Sequence, residues 1–379
     1  MGSRNILIMI DILFFIPTLD KGGAENVLIN LVNNLDHRKF NITVQTLFDQ
    51  NSQKEKLKPY ISYKSFLKKQ FHGNSRLFAR LPSTILYRLI VKNEYDIVVS
   101  YLEGPTTYIL SGCPYIKTKK VAWIHTAFEN ERGFYAGFTS KQKAMKAYRS
   151  YDMIVFVAKM ALERFNHISG KILAPEVVLY NTIESEMIKK YSDEDINDFV
   201  FNKDEIKLIS VGKIQPVKGF DRLARIHKKL IDDGFSIHTY IIGSGDQQDE
   251  IDKYIKENRI DDTFTFLGFK DNPYKYVAKA DLFVCSSRRE GFSTAVTESL
   301  IVGTPVISTN CSGIYEQLGE RNEYGVVTDN DVDSLYTGLY RLLTSPNLLS
   351  HYRNQAKIRA KMFSKEKTVT AVEDMLLNL

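Results

Sequence analysis

The chain has 379 residues, of which 44% are hydrophobic and 25% are charged. This length exceeds what one hydrophobic core usually organises, so we expect two domains, and the apolar content excludes a largely disordered protein. The net charge of +6 is uneven: residues 1–185 carry 25 Lys and Arg against 15 Asp and Glu, a net of +10, which leaves −4 for the remainder. The basic first half predicts an anionic partner for the first domain.

The cysteines and the first apolar run indicate the cellular setting. Cys113, Cys285 and Cys311 have no metal-ligand spacing, and we interpret them as reduced thiols of a cytoplasmic protein. The run Ile6–Ile16 contains Asp11 and is shorter than the ~20 apolar residues that cross a bilayer. It also lacks a small-residue cleavage site. The run is therefore predicted to be the first core strand.

Strands and helices alternate along the first half. Gly22 and Gly23 lie between the first predicted strand and a helix predicted over 25–35. The absence of side chains there lets a ligand approach the backbone closely. Phe40–Phe48 is predicted to be the second strand. No Gly-x-Gly-x-x-Gly motif accompanies this start, which argues against an ordinary dinucleotide dehydrogenase.

The segment Lys54–Lys69 contains six lysines interleaved with aromatic and aliphatic residues. An anionic membrane surface would attract such a segment. Nucleic acid is the rival partner, but no recognised nucleic-acid-binding motif accompanies the lysines. A solvated basic edge with no partner is an equal alternative.

Two further strands are predicted over 95–101 and 120–126, and His125 lies at the end of the second. Open α/β sheets bind ligands outside the carboxyl ends of their strands. A lone histidine is nevertheless more often structural than functional. Tyr151–Ala158 is predicted to be another strand, and the acidic, polar stretch 184–198 is interpreted as an interdomain linker.

Glycines follow the predicted strands of the second half. The strand 206–211 runs into Gly212 and Lys213, and Lys218 follows in the next loop. Lysines at a strand end are good point-charge partners for a diphosphate. Two later strands also carry a glycine near their end: Gly243 after 237–242 and Gly268 within 264–269.

The most informative stretch begins with an apolar strand over 281–285. Gly291 permits a tight turn after it, and Ser293 or Thr294 is predicted to be the N-cap of a helix that ends at Val302. The unpaired amides at this helix N-terminus carry about half a positive charge and suit a phosphate.

One glutamate precedes that helix and a second lies within it. Glu290 is followed by Gly291-Phe292, and Glu298 is followed by Gly303-Thr304-Pro305. This arrangement resembles the signature of retaining glycosyltransferases of family 4, and the resemblance extends over nearly the whole chain.

The resemblance implies an α/β protein of GT-B type, with two Rossmann-like doubly wound domains facing a cleft. Residues 1–183 would form an N-terminal acceptor-binding domain and residues 184–363 a C-terminal nucleotide-sugar-binding domain. Residues 364–379 would form a helix that packs back on the N-terminal domain.

The resemblance also implies roles for single residues. His125 and Glu290 would contact the transferred sugar, Lys218 would neutralise the diphosphate, and these three form the catalytic set. Glu298 would accept hydrogen bonds from the ribose. Lys213 replaces the arginine of the family pattern, which keeps the charge but loses the bidentate fork. The donor-binding set is Gly22, Gly23, Lys213, Lys218, Gly243, Gly268, Phe269, Glu290, Gly291, Phe292, Ser293, Thr294 and Glu298.

The implied function is metal-independent, retaining transfer of a hexose or N-acetylhexosamine from a nucleotide-diphosphate sugar, with uridine as the expected base. The acceptor would be a saccharide or lipid-linked saccharide in the assembly of a bacterial surface polysaccharide, such as capsule, exopolysaccharide or lipopolysaccharide. No cofactor, metal or nucleic acid is expected, and the protein would be cytoplasmic, with peripheral contact to the inner face of the plasma membrane. The alternatives are a catalytically silent nucleotide-sugar-binding subunit that supports a partner, and a GT-B epimerase or phosphorylase.

Overall fold

The computed structural model describes residues 9–20, 22–50, 52–69, 78–170, 172–202 and 204–379. The chain divides into two compact units. The first unit contains Met1–Thr182 together with Glu366–Leu379, and the second unit is Ile183–Lys365. The sequence placed the corresponding breaks after residues 183 and 363.

The first unit is built on a parallel sheet of seven strands in the order β3-β2-β1-β4-β5-β6-β7. Its strands are β1 Ile10–Ile16, β2 Phe40–Phe48, β3 Ser62–Leu67, β4 Ile97–Ser100, β5 Lys119–Ile124, β6 Met153–Phe156 and β7 Glu176–Val178. Its helices are α1 Gly23–Asn34, α2 Ser83–Ile90, α3 Pro105–Leu110, α4 Glu131–Phe134, α5 Lys141–Tyr148 and α6 Lys159–Ser169.

The central strands of this sheet are mostly apolar and buried toward their carboxyl ends. Leu13, Phe14 and Phe15 of β1 are all fully buried, because helices cover both faces of a parallel sheet. Phe40–Phe48 is confirmed as a strand. The first strand begins at Ile10, and residues 6–8 of its predicted range lie outside the described residues.

The second unit repeats the pattern with six parallel strands in the order β10-β9-β8-β11-β12-β13. The strands are β8 Ile206–Val211, β9 Ile237–Ile242, β10 Phe264–Gly268, β11 Leu282–Cys285, β12 Val306–Thr309 and β13 Val326–Thr328. The helices are α7 Ser185–Ser192, α8 Phe220–Asp232, α9 Gln248–Glu257, α10 Tyr274–Ala278, α11 Thr294–Val302, α12 Ile314–Leu318, α13 Val332–Leu343 and α14 Pro346–Ala360.

The interpretation of 184–198 as a linker is wrong over its first half. Helix α7 occupies Ser185–Ser192 and buries Ile188 in a small cluster with Ile183 and Ile301. A two-turn helix presents too few apolar positions for its period to emerge from an acidic, polar stretch.

The last helix, α15, spans Lys365–Leu377. Glu373 of this helix accepts hydrogen bonds from the Asp36 amide and from Lys39 Nζ, both at 2.7 Å. These contacts lie within the first unit, to which Glu366–Leu379 belongs. Of all helices in the described ranges, none is both long enough and apolar enough to cross a bilayer.

Candidate active site

The strand order of the second unit reverses between β8 and β11, which are parallel neighbours. Open α/β sheets bind ligands outside the carboxyl ends of strands at such a reversal. The loop that follows β8 carries Lys218, and the loop that follows β11 carries Glu290. The topology therefore brings both predicted residues to the same edge of the sheet.

Lys218 and Glu290 form an ion pair in which Nζ donates to Oε1 at 2.7 Å. The same oxygen accepts a hydrogen bond from Ser287 Oγ at 2.5 Å. The side chains are only 27% and 12% exposed, respectively. Burial disfavours the charged form of Lys218, but the attraction and hydrogen bond from Glu290 prevail, so the pKa of Lys218 is raised. The lysine is charged at neutral pH.

The two loops are also joined through their backbones. Gly219 follows Lys218 with φ +67°, and a Cβ atom there would lie 2.2 Å from the Ser286 carbonyl oxygen. Only glycine permits this approach. Ser286 Oγ donates to the Lys218 carbonyl at 3.0 Å, and the Arg288 amide donates to the Val217 carbonyl at 2.8 Å.

Arg222, which the sequence does not identify as a site residue, anchors the loop that carries Glu290. The side chain is buried in the first turns of α8. Its Nε donates to the Ser286 carbonyl and its Nη2 to the Ser287 carbonyl, both at 2.6 Å. Thr309 Oγ1 donates to the same Ser287 carbonyl at 2.6 Å. Ser287, which binds Glu290, is thereby fixed from two neighbouring elements.

Helix α11 begins at Thr294, so Ser293 is the N-cap, but its side chain makes no capping hydrogen bond. The Ser293 carbonyl instead accepts from Gln317 Nε2 at 2.7 Å. First-turn amides have no intrahelical acceptor, so this end is suited to an anion. Phe292 is buried and packs its ring on Phe363, so we expect its backbone rather than its ring to face a donor. Gly303, with φ +84°, ends the helix as predicted.

Glu298 lies one turn inside α11. Burial raises the pKa of Glu298 to about 7. The charge of Glu298 also contributes to the raised pKa of Tyr274, after the larger effect of burial. Hydroxyl donors from a ligand would stabilise the charged form of this half-buried carboxylate.

Three glycines lie side by side at the carboxyl ends of β8, β9 and β10. A Cβ atom on Gly243 would lie 1.9 Å from the Gly212 carbonyl oxygen, and the Gly243 amide donates to the Gly268 carbonyl at 2.9 Å. Nothing lies within 4 Å of the Cβ position of Gly268. Phe269 and Lys213 are exposed at this edge.

In the first unit, His125 directly follows β5 and is partly buried. Its amide donates to Glu103 Oε2 at 3.0 Å, and its ring lies 4.9 Å from that of Tyr101. Burial lowers the pKa of His125 to about 3, so the imidazole is neutral. Its buried Nε2 atom finds no hydrogen-bond partner among the described residues.

The glycine turn lies in the same unit, after β1. Gly22 is the N-cap of α1 and Gly23 is its first residue. Open space surrounds the Cβ position of Gly23. Burial raises the pKa of Glu25, in the first turn of the helix.

Two family models match the chain. The model described as "Glycosyltransferase Family 4" matches residues 21–186, and the model described as "Glycosyl transferases group 1" matches residues 192–359. The chain belongs to these glycosyltransferases. The predicted family is thereby confirmed.

The chain is 36% identical over 192 residues to the N-acetylgalactosamine-N,N'-diacetylbacillosaminyl-diphospho-undecaprenol 4-alpha-N-acetylgalactosaminyltransferase of Campylobacter jejuni, an alignment that covers 50% of each chain. The chain spans about half the length of curated relatives such as this one.

Solved structures of similar fold cover nearly the whole chain. Anabaena Alr3699/HepE in complex with UDP and glucose has a TM-score of 0.76 at 17% identity, over 98% of this chain and 100% of that one. Sucrose-phosphate synthase from Thermosynechococcus elongatus has a TM-score of 0.78 at 14% identity, over 97% and 98%. The predicted fold class is confirmed, since both units are the parallel-sheet, Rossmann-like units of GT-B structures.

Proposed function

We propose that the chain transfers a hexose or N-acetylhexosamine from a uridine-diphosphate sugar to a saccharide or lipid-linked saccharide acceptor. The transfer retains the anomeric configuration and uses no metal ion or other cofactor. The observation that carries the proposal is the buried Lys218–Glu290 pair beside the N-terminus of α11, at the reversal point of the second sheet.

The chemistry of the donor fits this pair. A departing nucleoside diphosphate gains negative charge, and fixed positive groups that face it lower the barrier more than any other single contribution. Lys218 and the first-turn amides of α11 supply that positive potential. The Lys218 ammonium keeps donors to spare when it binds Glu290, so it can hold both the carboxylate and a phosphate oxygen.

The remaining roles concern hydroxyl groups. Glu290 accepts hydrogen bonds from the donor sugar, and Glu298 accepts them from the ribose. Neutral His125 hydrogen-bonds the transferred sugar through Nε2, the atom that lacks a partner among the described residues. Gly22, Gly23 and the glycines at the ends of β8 to β10 let the donor approach backbone.

The second unit is proposed to bind the donor and the first to bind the acceptor. The name of the Campylobacter relative indicates that its own acceptor is carried on diphospho-undecaprenol. By analogy we propose a lipid-linked acceptor here, in the assembly of a bacterial surface polysaccharide at the inner face of the plasma membrane. The +10 net charge of residues 1–185 is suited to an anionic diphosphate lipid and its membrane.

Membrane contact through Lys54–Lys69 is part of this proposal. All six lysines of the segment are exposed. The segment includes β3, the edge strand of the first sheet, where lysines also prevent pairing with other chains. The alternative of a solvated basic edge therefore has a physical basis of its own.

A transfer assay tests the function. The chain is incubated with isotope-labelled uridine-diphosphate hexoses and N-acetylhexosamines, a lipid-diphosphate saccharide and excess EDTA. We expect one donor to yield product whose new linkage has the anomeric configuration of the donor by NMR. Inverted product or abolition by EDTA would contradict the mechanism, and donor binding without turnover would favour the silent-subunit alternative.

A further inference from the structure

Helix α2 exposes an apolar stripe. Leu81, Ile85 and Leu89 are 44%, 56% and 52% exposed, respectively. Ile85 and Leu89 are four residues apart in α2 and lie on one face of the helix, and Leu81 lies just before the helix, next to its N-cap Pro82. The opposite face of the helix packs into the first unit, where Leu86, Tyr87 and Ile90 are buried. The stripe is therefore additional to the packing of the helix against its own core.

The residues around the stripe are basic. From residue 56 to residue 93 the sequence contains nine Lys and Arg and no Asp or Glu. Arg80, Arg88 and Lys92 of this stretch are exposed and accompany the stripe along the helix. Solvent-facing aliphatic side chains with a basic surround are typical of surfaces that lie in a membrane interface.

The helix is held firmly by the rest of the first unit. Tyr108 OH donates to the Leu81 carbonyl at 2.8 Å, and Gln45 Nε2 donates to the Ile90 carbonyl at 2.8 Å. A Cβ atom on Gly112 would lie 2.1 Å from the Ser83 carbonyl carbon, so the α2 backbone approaches this glycine closely. The stripe is presented on an anchored helix.

We propose that Leu81, Ile85 and Leu89 insert into an anionic lipid bilayer. The inference rests on the membrane contact proposed above and names the side chains that enter the apolar region. Three side chains fall far short of the ~800 Å² per partner of a standard protein interface. Basic residues attract anionic headgroups, and apolar side chains then hold the protein at the interface independently of salt.

Tryptophan substitutions locate the insertion. Ile85→Trp and Leu89→Trp are each compared with Ile358→Trp, a helix position of the second unit that is also 52% exposed. The chain has one tryptophan, the buried Trp123, which gives a constant background. With phosphatidylglycerol–phosphatidylcholine vesicles that carry brominated chains, we expect quenching of the added tryptophan at 85 and 89 and none at 358. Equal or absent quenching would overturn insertion.

Loss of binding provides the second test. We expect the double variant Ile85→Gln, Leu89→Gln to bind the vesicles at least tenfold more weakly than the native chain, with Ile358→Gln as the unchanged control. In 1 M NaCl the native chain should keep measurable binding and the double variant none. Native binding that disappears entirely in salt would overturn insertion but leave the lysine contact intact. Because no sugar donor is present, these results are independent of the transferase proposal, which the transfer assay tests.

Discussion

Lys218 and Glu290 are 72 residues apart in the sequence and 2.7 Å apart in the structure. Each compensates the burial of the other, because a buried charge without a partner is strongly destabilising. The pair also preorganises the site, since both groups are already largely removed from water.

Replacement of the lysine tests its role. We expect Lys218→Ala to reduce kcat on the order of a hundredfold or more, because the charge that faces the leaving group is lost. The matched control is Lys253→Ala, which removes a lysine exposed on α9 of the same unit and should leave kcat unchanged. Circular dichroism melting of both variants separates loss of function from loss of fold. Near-native kcat for Lys218→Ala would remove the lysine from the site.

The raised pKa of Glu298 predicts that donor binding depends on pH. Its pKa of about 7 in the free protein would fall when ribose hydroxyls donate to the carboxylate. Below pH 7 binding must then release a proton, so affinity for a uridine-diphosphate sugar should rise with pH up to ~7, by at most about tenfold per pH unit, and level off above. A sugar-linked diphosphate does not itself titrate in this range. Glu298→Gln should give a flat profile, and a sloping one would contradict the assignment.

Some residues of the site can be identified from the sequence and others cannot. Glu290, Glu298 and Lys218 were identified through their motifs, and the structure shows how Lys218 and Glu290 meet. Arg222 and Ser287 are not identified from the sequence, because an arginine in an amphipathic helix usually faces solvent. The burial of Arg222 depends on the Ser286 and Ser287 carbonyls, which lie 64 and 65 residues away. No local pattern encodes such a contact.

Helix α8 stabilises the site by contacting the loop at the end of β11. Its Arg222 side chain donates two short hydrogen bonds to the consecutive carbonyls of Ser286 and Ser287. Lysine cannot reach both carbonyls, because it lacks the planar fork. Hydrogen bonds from a charged group contribute about 1.5–3 kcal/mol each.

We therefore expect Arg222→Lys to destabilise the protein by about 2 kcal/mol and to lower kcat at least tenfold, through a displaced Ser287 and Glu290. Arg225→Lys, at an exposed position of the same helix, is the control for both readouts. A variant that loses stability but keeps native kcat would show that Arg222 is only structural and does not position Glu290.

Strands were predicted more reliably than short helices. The ranges 40–48, 206–211 and 237–242 agree with β2, β8 and β9, since these mostly buried strands are rich in the β-branched and aromatic residues that favour a strand. Helix α7 was missed because its burial depends on Ile301, far along the chain. The edge strand β3 was interpreted only as a charged segment. Lys64 lies within the strand and Lys68 and Lys69 directly follow it, so the segment has the composition of a charged edge rather than of a core strand.

Both units of the molecule have the same strand topology around their first strand. In each sheet the strand order reverses beside the first strand, between β1 and β4 and between β8 and β11. The glycine turn follows β1, and the Lys218 loop follows β8. Two units of one topology thus carry different chemistry at equivalent positions, which is why the fold alone does not fix the function.

Donor binding by the second unit through Lys218, Glu290 and Glu298 can be measured by calorimetric titration of the full chain with uridine, guanosine and adenosine diphosphates in EDTA. We expect uridine diphosphate to bind in preference to the other two, with binding weakened at least tenfold by Lys218→Ala and unaffected by Lys253→Ala. If no nucleotide binds the native chain, or if Lys218→Ala binds uridine diphosphate as tightly as the native chain does, the second unit does not bind a donor in this way.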